Sequence, residues 1–254
     1  MNIFSFYIIN NDAPEPWQIC YQDSATKIMS GIDKLTGEIF YYETLLLIIV
    51  GWVLISAIIK YTKTELSYKY FNHGTLIEIL WTCSPAFILI AISFPSFKLL
   101  YLMDSIIDSQ ITIKVLGHQW YWSYEYSDYL DNSGDSISFD SIMIPTDDLE
   151  PGQFRLLEVD NRIVLPIHTH IRFICTSSDV IHSFAVPSLG LKIDALPGRL
   201  NGISTYVERE GTFYGQCSEL CGVYHFGMPI VIEAVRIEKY LEWLNIHLDN
   251  TPSS

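Results

Sequence analysis

The hydrophobic pattern of the chain changes character near residue 102. Before that point apolar residues come in continuous runs, and after it they alternate with polar ones. One run covers about residues 41–60, and its uncharged stretch, Thr44–Ile59, is 16 residues long. The aromatic flank Phe40-Tyr-Tyr42 extends it towards the ~20 residues that cross a bilayer core, and Lys60 and Tyr61 close it like interface anchors. A second run covers about residues 75–102, uncharged from Ile79 to Phe97, with Pro85 and Pro95 inside it. Membrane helices tolerate such prolines because neighbouring helices satisfy the freed carbonyls. Two transmembrane helices follow, with two core helices of a soluble domain as the alternative. The connecting loop carries Lys60, Lys63 and Lys69 against Glu65. An excess of lysine marks the inner side of a membrane, which puts both termini and everything after residue 102 outside.

After Leu102 the segments 111–117, 120–126, 154–159, 171–176, 203–207 and 228–235 are rich in β-branched and aromatic residues, several alternating with period two. Turn signals separate them at Asn132-Ser-Gly134, Glu150-Pro-Gly152, Pro197-Gly198 and Glu210-Gly211. The pattern predicts an all-β sandwich or small barrel over residues 103–254, closed by a short amphipathic helix over 240–248. Residues 1–40 form an N-terminal segment. Its first eleven residues lack the basic start of a secretory signal and are short for a span, so a short removable leader stays open.

Charge is uneven. Residues 1–102 hold 6 Lys/Arg against 8 Asp/Glu, and residues 103–254 hold 9 against 21, within a total of −14. Such an acidic surface repels phosphate backbones and excludes a nucleic-acid binder. It attracts basic protein partners, or serves only solubility. The five cysteines, Cys20, Cys83, Cys175, Cys217 and Cys221, are odd in number and unevenly spaced, so they form no disulfide framework. Cys83 and Cys175 sit in apolar runs and read as small buried hydrophobes.

Cys217 and Cys221 have different company. The stretch Cys217-Ser-Glu-Leu-Cys221-Gly-Val-Tyr-His225-Phe-Gly-Met228-Pro holds two thiols, an imidazole and a thioether, and His182 lies upstream in Asp-Val-Ile-His-Ser-Phe. Soft and borderline ligands of this kind favour copper over magnesium or calcium. Two Cys, two His and one Met exceed what one tetrahedral ion takes, and suit two metals that share the thiolates. Blue-copper electron-transfer sites place two His, one Cys and a weak axial Met on a β-sandwich, and here the order His, Cys, His, Met recurs with a second Cys added. With every position filled by protein, the site suits electron relay better than catalysis. A structural Cys2His2 zinc site, which would leave Met228 unused, and a Cys217–Cys221 disulfide are the competing readings.

These motifs, with Gly117-His-Gln-Trp-Tyr-Trp-Ser-Tyr-Glu-Tyr126 and Pro187-Ser-Leu-Gly-Leu-Lys-Ile-Asp-Ala-Leu-Pro-Gly-Arg-Leu-Asn201, give the chain a resemblance to subunit 2 of the mitochondrial and bacterial haem–copper cytochrome c oxidases. The resemblance runs from about Asp12 to Leu248. It implies a two-helix transmembrane hairpin followed by a cupredoxin-like β-domain with a dinuclear copper A centre. His182 and Met228 would complete one copper, His225 and the Glu219 carbonyl the other, with Cys217 and Cys221 bridging. The Glu219 carboxylate would reach a magnesium ion shared with subunit 1. Trp120 would receive the electron from cytochrome c, whose docking surface would match Tyr121, Glu125, Asp140, Asp160 and Asp179. Glu78 would lie near the mouth of a proton path into subunit 1, or simply snorkel to the interface. The implied role is that of the electron-input subunit of a proton-translocating terminal oxidase, with no oxygen site of its own. The mitochondrial inner membrane, with the β-domain in the intermembrane space, fits better than a bacterial plasma membrane. A copper-free quinol oxidase subunit and a membrane-anchored copper carrier are the rival classes.

Overall fold

The computed structural model describes residues 11–62, 73–104, 108–130 and 134–249. The chain forms two compact units, residues 31–102 and the remainder. The stretch Met1–Asn10, most of the segment for which a leader stays open, and the basic loop from Lys63 to Lys69 lie outside the described residues, as do Asn132 and Ser133 of one expected turn.

Residues 31–102 form a helical hairpin from α1 (Lys27–Thr62) and α2 (Thr75–Asp104). The apolar windows of both helices are exposed along their whole length, and no residue of α2 is buried. At ~25 cal/mol per Å2 of apolar surface, such faces are costly in water and stable in lipid. The helix α1 starts at Lys27, well before the Tyr41 that hydropathy suggested. The cause is a cap: the Thr26 hydroxyl accepts from the Met29 N–H at 3.0 Å and donates to the Leu189 carbonyl at 2.8 Å. The following turns carry Asp33, Lys34 and Glu38, which hydropathy discounts but a helix accommodates. At 36 residues, about 54 Å, α1 outruns a ~30 Å hydrocarbon core. Of the segment 1–40, the described residues up to Ser30 group with the β-unit and those from Gly31 with the hairpin.

The second unit is a two-sheet sandwich. Its strands are β1 (Asn11–Asp12), β2 (Ile111–His118), β3 (Tyr121–Leu130), β4 (Ser136–Ser141), β5 (Ile163–Pro166), β6 (His170–Ser177), β7 (His182–Val186), β8 (Leu191–Ala195), β9 (Asn201–Tyr206), β10 (Gly211–Cys217) and β11 (Pro229–Val235). One sheet runs β5-β11-β10-β7-β8, with β1 added to β10, and the other runs β4-β3-β2-β6-β9. Alternation fixes which side faces in. In β3, Trp122, Tyr124 and Tyr126 are buried, while Ser123 and Glu125 point to the other face. Phe173 and Cys175 of β6 meet Phe184, Phe213, Ile230 and Ile232 of the facing sheet in one core. The helix α3 (Ile237–Asp249) lays Tyr240 and Leu244 onto it.

The expected strand over 154–159 is a turn instead. Phe154 accepts from the N–H groups of Leu157 and Glu158, and Leu156 has a positive φ of 66°. The buried Glu158 carboxylate at its end lies 2.9 Å from the Arg162 guanidinium. Conversely, β10 was not expected, because Gly211 and Gly215 weaken its strand signal. Gly215 is there for space: a Cβ would stand 2.1 Å from the Ala185 carbonyl oxygen of the adjoining β7. Gly215→Ala is expected to destabilise the β-unit by about 1–3 kcal/mol, read as a lower urea midpoint in tryptophan fluorescence. An unchanged midpoint would show that the two strands can part freely.

Candidate metal centre

The sheet register brings the soft ligands together. Cys217 ends β10 and pairs with Phe184 of β7, whose first residue is His182. On the other side of β10, Gln216 pairs with Pro229, the first residue of β11, so Met228 arrives beside Cys217. The intervening loop turns back through a single 3-10 turn, His225–Gly227, which returns Cys221 and His225 to the same place. The Cys217 Sγ lies 3.9 Å from Cys221 Sγ, 3.9 Å from His182 Nδ1 and 3.3 Å from the Glu219 carbonyl oxygen. The Cys221 Sγ lies 3.4 Å from His225 Nδ1 and 3.5 Å from Met228 Sδ. His182, Cys217, Cys221 and Met228 are buried, and His225 is half-buried.

The buried ligands shift one another's ionisation. Burial opposes ionisation of the Cys217 thiol, but hydrogen bonds with His182 and the Glu219 backbone outweigh it and lower its pKa. Burial and the charge of Cys217 both push the Cys221 thiol up. Burial also works against a charged His182, yet Cys217 and Asp179 together raise its pKa. The donor set fits copper: both cysteines are free, and Met228 brings a fifth side chain within reach, more than a tetrahedral zinc site uses.

The supports come from residues outside the ligand motif. The Asp179 carboxylate faces His182 Nε2 at 2.9 Å and accepts from the backbone N–H groups of Gln119 and Val180, each at 2.6 Å. Burial raises its pKa, and these bonds bring it below the usual carboxylate value. With Nε2 engaged by a carboxylate, Nδ1 is the nitrogen left for metal. Asp179 therefore fixes the His182 ring, a contact that its expected place among the docking acids did not include; the signal is its position three residues before His182. Gln119 Nε2 donates to the Cys221 carbonyl at 2.7 Å, and the buried Trp122 Nε1 donates to the Met228 carbonyl at 3.2 Å. At Gly117 a side chain would strike His182, with a Cβ 2.9 Å from Cδ2.

The other expected site residues are dispersed. Trp120 packs its ring 5.3 Å from Tyr224 and against Gly222, next to Cys221. Tyr121 stacks on His118 at 4.5 Å. Glu125 and Asp140 share the outer face of β3 and β4, but Glu125 is paired with Lys114 at 2.8 Å, which lowers its pKa and offsets its charge. Asp140 accepts from Ser123 at 2.6 Å, and Asp160 accepts from the Ile142 N–H at 2.7 Å. Glu219 offers its carbonyl to the cluster while its side chain is exposed. Glu78 belongs to the other unit, where its carboxylate accepts from the Gly74 N–H at 3.0 Å at the start of α2.

A two-sheet sandwich with a buried Cys/His/Met cluster, on a chain with two membrane-length helices, is the architecture of a membrane-anchored cupredoxin-like protein. Comparison with known proteins narrows the class. Residues 14–99 match the model of the cytochrome c oxidase subunit II transmembrane domain, and residues 111–235 match that of its periplasmic domain. The chain is 61% identical over 238 residues to cytochrome c oxidase subunit 2 of Pneumocystis carinii, covering 94% of this chain and 98% of that one. It is 63% identical over 239 residues to the subunit of Mycosarcoma maydis, covering 93% and 94%. The periplasmic domain of subunit II of cytochrome oxidase from Bradyrhizobium japonicum superposes with a TM-score of 0.51 at 42% identity, covering 58% of this chain and all of that domain. The chain belongs to the cytochrome c oxidase subunit II family, the electron-input subunit of a respiratory oxidoreductase complex.

Asp179→Asn keeps a hydrogen-bonding side chain and removes the charge facing His182. It is expected to weaken copper binding about 10–100-fold without unfolding the domain, measured by competition with a chelator. Unchanged copper affinity would show that His182 is held without the carboxylate.

Proposed function

We propose that this subunit takes electrons from cytochrome c at a dinuclear copper A centre and passes them to the haem-bearing subunit 1. The convergence of two thiols, two imidazoles, a thioether and a carbonyl carries this reading. Cys217 and Cys221 would bridge the metals, His182 and Met228 would complete one, and His225 with the Glu219 carbonyl the other. When bound, the copper pair supplies a one-electron store spread over two nuclei. The protein contributes fixed ligands: Asp179 holds the His182 ring, Trp122 holds the Met228 backbone and Gln119 holds the Cys221 backbone. A site fixed in this way needs little rearrangement when its charge changes.

Trp120 is the input group in this proposal, because its ring lies against the metal loop while remaining part-exposed. The net −12 of residues 103–254 draws a basic partner to the domain. Tyr121, Asp140 and Asp160 serve docking, with smaller contributions from Glu125 and Asp179, both already engaged. The Glu219 carboxylate is assigned to a magnesium ion at the border with subunit 1, a hard oxygen ligand for a hard cation. Glu78 is assigned to the mouth of a proton path, in addition to its helix-end hydrogen bond. The proposed location is the mitochondrial inner membrane, with both termini and the β-domain in the intermembrane space.

The purified oxidase is expected to hold two coppers on this subunit. Its electron paramagnetic resonance spectrum should show hyperfine structure from one electron shared by both nuclei. A single copper, or zinc, with a mononuclear spectrum would overturn the dinuclear assignment. Trp120→Phe is expected to slow reduction by cytochrome c at least 10-fold with copper content and spectrum intact, in stopped-flow measurements. An unchanged rate would move electron input elsewhere on the surface.

A further inference from the structure

The helical hairpin holds a groove that the electron-transfer function does not use. It has a volume of about 210 Å3 and is lined by Gly31, Lys34, Leu35 and Glu38 of α1 and by Pro95, Lys98, Leu99 and Leu102 of α2. The two helices close on each other at Gly31, where a Cβ would stand 2.8 Å from Leu99 Cδ1. Pro95 lacks an N–H group and leaves the Ala91 carbonyl without its usual helical donor.

Lys98 stands at the boundary of the apolar stretch of α2, and Lys34 lines the groove beside it, one turn from the Gly31 that meets Leu99. The uncharged run of α2 ends at Phe97, directly before Lys98, and that of α1 starts at Thr44, after Lys34, Glu38 and Glu43. In a hairpin that spans a bilayer, this level is that of lipid phosphates. Lys34 and Lys98 are exposed, and neither forms an ion pair among the described residues, although Glu38 lines the same groove. Two ammonium groups and one carboxylate leave a net charge of +1. One phosphodiester balances it, and Glu38 is placed to accept from a headgroup hydroxyl while repelling a second negative charge. The groove has room for a headgroup, with acyl chains continuing along the apolar helix faces.

We infer that this groove binds the headgroup of a mono-anionic, hydroxyl-bearing phospholipid, its phosphate held between Lys34 and Lys98. The inference rests on the hairpin spanning a bilayer and is independent of the copper centre. In the orientation proposed above, the lipid belongs to the outer leaflet.

The test uses the intact oxidase with wild-type subunit, with Lys34→Gln/Lys98→Gln, and with Lys34→Arg/Lys98→Arg. Each is delipidated, titrated with phosphatidylglycerol or phosphatidylcholine, and read by native mass spectrometry, with copper content confirming assembly. The wild-type and arginine forms are expected to retain one more phosphatidylglycerol than the glutamine form, which should bind it at least 10-fold more weakly. Phosphatidylcholine should not separate the three. Equal phosphatidylglycerol retention by all forms would overturn the inference, as would displacement of the lipid by millimolar inorganic phosphate, which would mark a simple anion site. If the double glutamine variant fails to assemble, Lys34→Gln and Lys98→Gln are measured singly. Each should then weaken retention, and two unaffected single variants would equally overturn it.

Discussion

Two buried sulfurs 3.9 Å apart set the terms for the β-domain. Neither can hold a full negative charge beside the other without a cation between or around them, and a buried charge without a partner is among the costliest things a protein can hold. The surrounding residues keep that demand for a cation intact by preventing the ligands from collapsing onto other partners. Asp179 occupies one nitrogen of His182, Trp122 occupies the Met228 carbonyl, and Gln119 occupies that of Cys221. Gln119 and Trp122 come from the β2–β3 hairpin of the opposite sheet, while Asp179 precedes His182 in the same segment. The packing of the two sheets and the geometry of the metal cluster are therefore a single arrangement.

This explains which parts were legible in the chain. The ligands cluster within twelve residues and His182 adds the missing imidazole, so chemistry alone picks them out. The membrane runs are equally plain, because length and absence of charge suffice. Asp179 was readable only as one acid among 29, since a surface carboxylate and one turned towards a ring nitrogen have the same letter. Strand β7 is buried at every position and has no alternation to betray it. At Phe154–Val159 the reverse holds: β-forming residues close a turn instead, with the Phe154 carbonyl accepting from Leu157 and Glu158 and Leu156 at a positive φ. The early start of α1 depended on Thr26 reaching Leu189, a contact between residues far apart in sequence.

The acidic surface is less uniform than its net charge suggests. Glu125 is balanced by Lys114, and Asp179 is committed to the metal site. Asp140 and Asp160 accept hydrogen bonds from neutral groups, which hold the carboxylates in place and leave their charge unneutralised. Long-range attraction and local orientation are thus divided among different carboxylates, and removing one type should not mimic removing the other.

The shortest strand, β1, pairs with Thr212 and Phe213 on β10, the strand that ends in Cys217, and Asp12 there meets Arg209 at 2.8 Å. The first described residues thus complete a sheet whose other members are all encoded after both membrane helices. During synthesis the early segment must wait through two bilayer crossings for its neighbour to exist. A chain whose hairpin inserted incorrectly would leave the copper-bearing strand with unpaired backbone along that border, an adhesive edge. Those two residues of main-chain pairing can form only after both membrane helices have been made.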